Sequence, residues 1–263
     1  MNDLSISGVK LFKACPRAYE LHYIYKMMPT TETEALSIGA NYHDMLEQMH
    51  KHSIVPEIEN KETAMANAYA KYLFPKMPKF DSEVWFTKTV GRGHTLVGRF
   101  DGIVIGEDAI VEHKTTSISS IDEYEFNLQW DEQLLAYMLV TGYRKAYYTI
   151  CRKPTIRQKA NETDLEFAYR CLEWYDEDTD SKIRMLQITR TDEEVKQYKK
   201  DLNSVFSIIN ATERSGRFYR NTCHCNSWGR KCEYAPICLH FDPEQECVGF
   251  RKYDPSEYRK ERC

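Results

Sequence analysis

The segment at positions 98–116, GRFDGIVIGEDAIVEHKTT, constrains the fold more than any other part of the chain. β-Branched residues concentrate on both sides of a short polar stretch, and that pattern is typical of two strands joined by a turn. The segment therefore predicts a β-hairpin with strands at 95–105 and 109–116 and a turn at 106–108.

Two acidic residues and a lysine stand on these predicted strands. Side chains alternate along a strand, so Glu112 and Lys114 share one face while His113 points to the other. A two-residue turn at Gly106-Glu107 places Asp101 directly opposite Glu112, and a three-residue turn makes the approach diagonal. Opposed residues have Cβ atoms about 4.5–5.5 Å apart, close enough for both carboxylates to bind one divalent cation. A solvated charged face is the alternative that these residues alone leave open.

The chemistry available to such a group is phosphodiester cleavage. A cation held by carboxylates polarises a phosphoryl oxygen and lowers the pKa of a bound water, while a lysine orients that water or stabilises developing charge. Helices on either side supply further candidates. His43, Glu47 and His50 lie at helical spacing before the hairpin, and Gln133 and Tyr137 lie one turn apart after it.

Interleaved cations and aromatic rings occupy positions 214–232, where no acidic residue occurs. The basic residues are Arg214, Arg217, Arg220, Arg230 and Lys231, and the rings are Phe218, Tyr219 and Trp228. Such a mixture suits a nucleic-acid strand, because it combines phosphate neutralisation with base stacking. A solvated basic loop is the alternative. The net charge of −4 requires that nucleic acid be bound by local basic patches.

Composition places the chain among soluble intracellular proteins with a sizeable core. Its 263 residues suit one large domain or a domain with an appended lobe. There is no apolar run of the roughly 18 residues that span a membrane, and the first ten residues lack an apolar signal core. Nine cysteines form an odd number for a disulfide framework, so reduced thiols or metal ligands are expected.

Cysteines concentrate near the two ends of the chain. One precedes a predicted helix at Cys15-Pro16, and the others of interest are Cys223, Cys225, Cys232, Cys238 and Cys247. Four thiolates can bind a [4Fe–4S] cluster or a zinc ion. Structural zinc sites usually draw ligands in close pairs, and only Cys223-x-Cys225 is that close here.

The motifs together resemble a known family. In chain order they are Cys15, His43, Asp101, Glu112-x-Lys114, Gln133-x-x-x-Tyr137 and three late cysteines. This order resembles the PD-(D/E)xK nuclease superfamily, in its RecB/AddB-like iron–sulfur exonuclease branch. Phe100 replaces the motif proline. The late cysteines are also more widely spaced than in the CRISPR-associated members, which favours a phage or bacterial recombination exonuclease.

The resemblance implies an α/β fold with a central mixed β-sheet flanked by helices. It implies a nuclease core at 31–213, an N-terminal helical segment at 1–30 that contributes one cluster cysteine, and a cysteine-rich lobe with a basic tail at 214–263. The implied [4Fe–4S] ligands are Cys15, Cys225, Cys232 and Cys238. Cys223 remains an alternative to Cys225, and zinc remains the alternative occupant.

The resemblance also implies roles for the site residues. The implied catalytic residues are Asp101, Glu112, Lys114, Gln133 and Tyr137; the implied metal ligands are His43, Asp101, Glu112 and the carbonyl of His113; the implied DNA contacts are Tyr137, Arg217, Arg220, Arg230 and Lys231. The metal is Mg²⁺ or Mn²⁺, and a histidine ligand favours Mn²⁺. Lys114 would position the attacking water, with Gln133 supporting it.

These features predict a divalent-metal-dependent DNA exonuclease of phage or bacterial recombination or repair, located in the cytoplasm. Its expected partners are DNA ends or single strands and possible helicase or recombination proteins, with no membrane. Two alternatives are a CRISPR spacer-acquisition nuclease and a non-catalytic iron–sulfur DNA-binding subunit of a helicase–nuclease complex.

Overall fold

The structure, a computed structural model, describes residues 3–31, 34–91, 93–227 and 230–254, apart from the side chains of 34–36, 227 and 230. The chain divides into two compact units. The terminal unit comprises Met1–Thr33, Thr89–Val97 and Lys200–Cys263, and the core unit comprises Glu34–Lys88 and Gly98–Lys199.

Helices and strands alternate along most of the described chain. The helices are α1 Ile6–Ala14, α2 Pro16–Tyr19, α3 Glu34–His52, α4 Lys61–Tyr72, α5 Ile121–Asn127, α6 Glu132–Thr141, α7 Asp164–Glu177, α8 Thr179–Lys182, α9 Asp192–Ser215, α10 Thr222–Cys225 and α11 Ala235–Cys238. The strands are β1 Asp3–Leu4, β2 Met27–Pro29, β3 Phe80–Gly91, β4 His94–Val104, β5 Ala109–Thr116, β6 Lys145–Arg152, β7 Ile183–Thr189, β8 Asn226–Ser227, β9 Arg230–Lys231 and β10 Phe250–Lys252. Short helical turns of other types are Glu20–Ile24, Phe74–Lys76 and Leu128–Trp130.

A mixed sheet forms the centre of the core unit. Strands β4, β5, β6 and β7 follow one another in that order, and β3 also pairs with β4. The β4–β5 and β6–β7 pairs are antiparallel, whereas β5 and β6 are parallel. Strand β6 is buried along almost its whole length, as its apolar sequence predicts for a central strand.

Helices supply the rest of the core. α3, α4 and α7 pack together around buried aromatic and sulfur-containing side chains, including Tyr42, Met49, Tyr69, Tyr175 and Cys151. α6 packs against β3 and β4 through contacts of Tyr137 with Phe86 and Phe100. The predicted α/β class with a central mixed sheet flanked by helices is confirmed.

The hairpin predicted at 95–116 is formed by β4 and β5. Its ladder pairs Gly102 with Val111 and Ile103 with Ile110, the register that a two-residue turn predicts. Gly106 lies at the turn with a φ of 81°, a conformation that side chains disfavour. The hairpin therefore brings the acidic and basic motif residues of two strands to one end of the sheet.

The apolar pattern of residues 128–140 predicts one continuous helix after the hairpin, and the structure differs from this prediction. Residues Leu128–Trp130 form a separate turn, and α6 begins at Glu132 because the Asp131 carboxylate accepts hydrogen bonds from the backbone N–H groups of Gln133 and Leu134. α5, capped by Ser120, was not predicted. The cap at Asp131 places Gln133 in the first turn of α6.

The terminal unit joins the two ends of the chain. β1 pairs in parallel with Thr95 and Leu96 of β4, and β2 pairs antiparallel with β10. The predicted pair of helices meeting at Cys15-Pro16 is present as α1 and α2. Within the described parts of the chain, each helix is too short or too polar to cross a membrane.

Candidate active site

Three potential metal ligands converge at the hairpin. They are His43 from α3, Glu83 from β3 and Asp101 from β4, and one ligand atom of each lies within 4.8 Å of the other two. The Nδ1 atom of His43 is 3.4 Å from an oxygen of Asp101. Two ligands of one small cation, each about 2.1 Å from it, lie at most about 4.2 Å apart. Small side-chain shifts would therefore let all three residues bind the same ion.

These residues line a small cavity of about 10 Å³, together with Glu47, His50 and other side chains of α3 and β3. A volume of about this size holds one water molecule. One carboxylate oxygen of Glu112 is buried without a hydrogen-bond partner among the described residues, whereas the buried oxygen of Glu83 contacts Arg99. Buried polar atoms normally have partners, so the Glu112 oxygen is suited to a bound cation.

The other motif residues form a hydrogen-bonded chain beside this cavity. The Lys114 ammonium contacts Glu112 and lies 3.2 Å from the amide oxygen of Gln133. The amide nitrogen of Gln133 donates to Glu112 at 2.9 Å and to the hydroxyl of Tyr137 at 2.9 Å. That hydroxyl donates in turn to the backbone carbonyl of Arg99. Gln133 thus orients both the carboxylate and the ammonium.

His113 faces away from Glu112 and Lys114, as strand alternation predicts. Its ring lies against His50 and Tyr69, and its Nδ1 is 2.6 Å from the Thr149 hydroxyl. Its backbone N–H donates to Asp101 at 2.7 Å. The buried ring therefore fixes the strand whose backbone holds Asp101 in place.

Burial and neighbouring charges shift the pKa values of the three carboxyl groups in different directions. Burial acts to raise the pKa of Asp101, but His43 and Lys114 outweigh it and hold that pKa well below its ordinary value. Burial and the charge of Asp101 raise the pKa of Glu112 to about 7, although Lys114 opposes the shift. Burial raises the pKa of Glu83 to about 7 against the effect of Arg99. Asp101 is therefore the most readily ionised of the three carboxyl groups.

The basic groups of the site respond to the same charges. Burial acts to lower the pKa of Lys114, but Glu112 and Asp101 raise it above its ordinary value. Asp101 likewise raises the pKa of His43 despite burial. Burial lowers the pKa of His113 to about 3 and that of His50 to about 4, so both rings are neutral at pH 7.

Glu83 is the site residue that sequence reasoning missed. The run EVWFTKTV at 83–90 predicts a strand before the hairpin, but this pattern assigns no role to Glu83. In the structure Glu83 has a φ of 60°, and its carboxylate pairs with Arg99 beside Asp101. The available signal was an acidic residue in the aromatic run SEVWF just before the hairpin.

The four predicted cluster cysteines lie near one another in the terminal unit. Cys15, Cys232 and Cys238 belong to one apolar cluster, and the backbone N–H of Cys232 donates to the carbonyl of Cys225 at 2.9 Å. The Cys15 sulfur also accepts a hydrogen bond from the backbone N–H of Asn221 at 3.4 Å.

The wider cysteine set includes members without these contacts. Cys223 is exposed, and Cys247 packs at the edge of the apolar cluster that includes Cys15. Cys263 lies outside the described residues. Among the described residues, no three cysteine sulfurs come as close together as the 4.8 Å found for the His43 group. Cys151 and Cys171 are buried in the core unit, as expected.

The predicted DNA contacts occupy different environments. Arg217, Arg220 and Lys231 are exposed, and the side chain of Arg230 is outside the described set. Tyr137 is only 6% exposed, and its hydroxyl is engaged with Gln133 and Arg99. It is therefore placed to support the site, and its contact with DNA stays a prediction.

The fold and the site together define an α/β protein with a carboxylate–histidine pocket on a mixed sheet and a lysine beside it. A family model described as the PD-(D/E)XK nuclease superfamily matches residues 3–92 and 59–239. These ranges cover more than half of the chain, and the chain belongs to this superfamily of nucleases, as the motif order predicted. No curated protein sequence matches it.

Matches among solved structures include two proteins described as exonucleases. A protein described as an exonuclease, from Eubacterium rectale, has a TM-score of 0.51 and 13% identity, and the match covers 94% of this chain and 90% of the other. SSO0001 has a TM-score of 0.44 and 14% identity, with coverages of 79% and 77%. The alkaline exonuclease LHK-Exo from Laribacter hongkongensis has a TM-score of 0.38 and 12% identity, with coverages of 81% and 93%.

Proposed function

We propose that this protein is a divalent-metal-dependent DNA exonuclease. One observation carries the proposal: the ammonium of Lys114 contacts Glu112 beside the converging ligand atoms of His43, Asp101 and Glu83. A lysine next to a set of oxygen ligands is the combination that metal-assisted phosphodiester hydrolysis requires. Membership of a nuclease superfamily supports the same reaction.

The proposed metal ligands are His43, Asp101 and Glu83, with Glu112 and the backbone carbonyl of His113 added by the family resemblance. Oxygen ligands suit Mg²⁺ and Mn²⁺, and the imidazole favours Mn²⁺. When bound, the ion would polarise a phosphoryl oxygen and lower the pKa of a bound water. The unpartnered buried oxygen of Glu112 supports a cation at this position.

The remaining residues would act on the water and the substrate. Lys114 remains charged because Glu112 and Asp101 raise its pKa, so its role is to orient the attacking water and stabilise developing negative charge. Gln133 would hold Lys114 and Glu112 in fixed relative positions through its two hydrogen bonds. Tyr137 would fix Gln133 by linking it to the backbone of Arg99.

End-labelled DNA tests the proposed activity directly. Single- and double-stranded substrates labelled at one end would be incubated with the protein in Mg²⁺, in Mn²⁺ and in EDTA. We expect mononucleotides or short products released progressively from an end, only with metal present. DNA binding without cleavage in either metal would instead support a non-catalytic DNA-binding subunit.

Metal affinity is expected to rise with pH between 6 and 8. Glu83 and Glu112 have pKa values near 7, and the pKa of His43 is also raised, so a cation must displace protons below pH 7. Each displaced proton strengthens apparent binding by about tenfold per pH unit in that range. Calorimetric titration with Mn²⁺ at pH 6, 7 and 8 measures the slope, and Glu83→Gln should reduce it.

The same shifts set the stability of the metal-free chain. Raised carboxyl pKa values mean that the native state binds more protons than the unfolded state between about pH 4.5 and 7, so these groups reduce stability as pH rises through that window. Metal binding should offset the loss. A pH-independent Mn²⁺ affinity in the wild-type protein would contradict the assignment of these carboxyl groups as ligands.

We also propose that Cys15, Cys225, Cys232 and Cys238 hold a [4Fe–4S] cluster in the terminal unit. The family resemblance favours the cluster over a zinc ion. Cys225 is preferred to Cys223 because the backbone N–H of Cys232 donates to the carbonyl of Cys225 at 2.9 Å. The N–H donated to the Cys15 sulfur is a contact that tunes such clusters.

Anaerobic purification tests the cluster. We expect a brown protein with an absorption band at about 400 nm. Cys232→Ser should abolish this band, and Cys223→Ser should leave it unchanged. Iron and zinc analysis of the same samples identifies the occupant. One zinc per colourless chain would refute the cluster without affecting the proposed cleavage.

The wide spacing of the late cysteines also favours a biological role in phage or bacterial DNA recombination.

A further inference from the structure

We propose that a second site, in the terminal unit, binds the phosphate backbone of a single DNA strand and stacks one of its bases. The site is a groove of about 370 Å³ whose lining includes Arg17, Glu20, Arg217, Tyr219, Arg220 and Cys238. We call it the arginine groove. Its size falls within the range of about 300–1,000 Å³ that is usual for ligand sites. This inference rests on the proposed action on DNA.

Two distant chain segments build the walls of the arginine groove and are joined by hydrogen bonds. The backbone N–H of Arg17 donates to the carbonyl of Tyr219 at 3.1 Å. Next to it, the side chain of Asn221 donates to the carbonyl of Ala14 at 2.8 Å. The backbone N–H of Asn221 donates to the sulfur of Cys15. The groove is therefore held in shape before any ligand binds.

The charges of the arginine groove favour an anion. Three guanidinium groups line it against one carboxylate, that of Glu20, which pairs with Arg17. In the described part of the chain, the exposed side chains of Arg217 and Arg220 form no ion pair. Both guanidinium groups can therefore donate to phosphate oxygens in the paired geometry that arginine provides.

The aromatic residues of the arginine groove divide into an anchor and a platform. Phe218 stacks on the buried Tyr19 with ring centroids 6.5 Å apart, which fixes the backbone of the segment. The next residue, Tyr219, is 62% exposed. An exposed ring beside unpaired arginines provides base stacking and phosphate contacts together, a combination that binds single strands with little sequence preference.

The cysteines give this site its position. Cys238 lines the groove together with Arg17 and Arg220. Cys15 directly precedes α2, which carries Arg17, and its sulfur accepts the hydrogen bond of Asn221. The structure thus assigns to the cysteine-rich part of the chain a role in holding a DNA strand, separate from the chemistry of the carboxylates.

Binding of a fluorescein-labelled ten-nucleotide thymidine strand to the full chain, measured by anisotropy in EDTA, tests the inference. We expect the double variant Arg217→Ala/Arg220→Ala to bind at least about tenfold more weakly. The slope of log affinity against log salt concentration should become shallower by about 0.7 for each lost phosphate contact. Tyr219→Ala should weaken binding by several-fold, and Tyr219→Phe should not. Arg251→Ala, an exposed arginine on β10 outside the groove lining, is the matched control and should bind as wild type.

Chelation separates this test from that of the proposed function, because binding in EDTA does not depend on cleavage. Wild-type affinity and salt dependence in the correctly folded double variant would overturn the inference while leaving the nuclease proposal intact. Absence of strand binding by the wild-type chain would also overturn it. If the wild-type chain binds the strand but never cleaves DNA, and the double variant loses that binding, the inference is sustained and the exonuclease proposal is refuted.

Discussion

Replacing Lys114 with methionine is expected to reduce the rate of DNA cleavage by at least about 100-fold, the usual effect of removing one group that stabilises developing charge. Methionine fills a similar volume but carries no ammonium. The variant also leaves the buried Glu112 carboxylate without its cation, so its pKa should rise further and the chain should lose stability. Single-turnover cleavage of end-labelled DNA in saturating Mn²⁺ measures the chemical step.

Two companion variants separate chemistry from folding. Lys114→Arg keeps the positive charge beside Glu112, so it should fold as well as wild type while its larger, planar head group misplaces the water. Lys145→Met removes a half-buried lysine of β6 that pairs with Glu107 in the β4–β5 turn, and should cleave normally. Cleavage at the wild-type rate by both Lys114 variants would remove this residue from the mechanism.

Replacing Asp101 with asparagine is expected to weaken Mn²⁺ binding by about 100-fold or more and to abolish cleavage at ordinary metal concentrations. Changes to groups around a metal already cost about 10–100-fold, and Asp101 is the proposed ligand with the lowest pKa. The amide oxygen of asparagine can still accept the hydrogen bond from the backbone of His113. The hairpin should therefore keep its shape.

The Asp101→Asn variant also changes its neighbours in a defined direction. Asp101 raises the pKa values of Glu112 and His43, so both values should fall in the variant, as titration by NMR would detect. Asp108→Asn, in the exposed turn of the same hairpin, is the control and should bind metal normally. Retention of wild-type Mn²⁺ affinity by Asp101→Asn would show that the cation binds elsewhere.

Residues whose placement depends on local pattern were predictable from the sequence. Strand alternation was enough to place Glu112 and Lys114 together, and helical spacing was enough to place Gln133 beside Tyr137. The sequence left two registers open for the β4–β5 hairpin, and the structure has the one expected for a two-residue turn. In each case the deciding interaction lies within a few residues or across one turn, where steric rules operate directly.

Features that depend on contacts distant in sequence were not predictable in this way. Glu83 belongs to the site only because β3 pairs with β4 and because its φ of 60° departs from ordinary strand geometry. The start of α6 depends on which polar residue caps it. Asp131 caps the helix at Glu132, although the apolar periodicity of the preceding residues predicts an earlier start. The effect of Cys225 on the pKa values of Cys232 and Cys238 likewise depends on the folded structure, which the spacing of the cysteines does not determine.

The terminal unit contains both ends of the chain, so its cysteines are synthesised at different times. Cys15 leaves the ribosome long before Cys225, because some 200 residues separate them and synthesis at about 5–20 residues per second spans roughly 10–40 s. The whole carboxylate-bearing hairpin is translated within that interval. The core unit, which carries the proposed catalytic residues, can thus fold before Cys225 is synthesised. Cys15 remains a free thiol until its proposed partners from the other end of the chain are available.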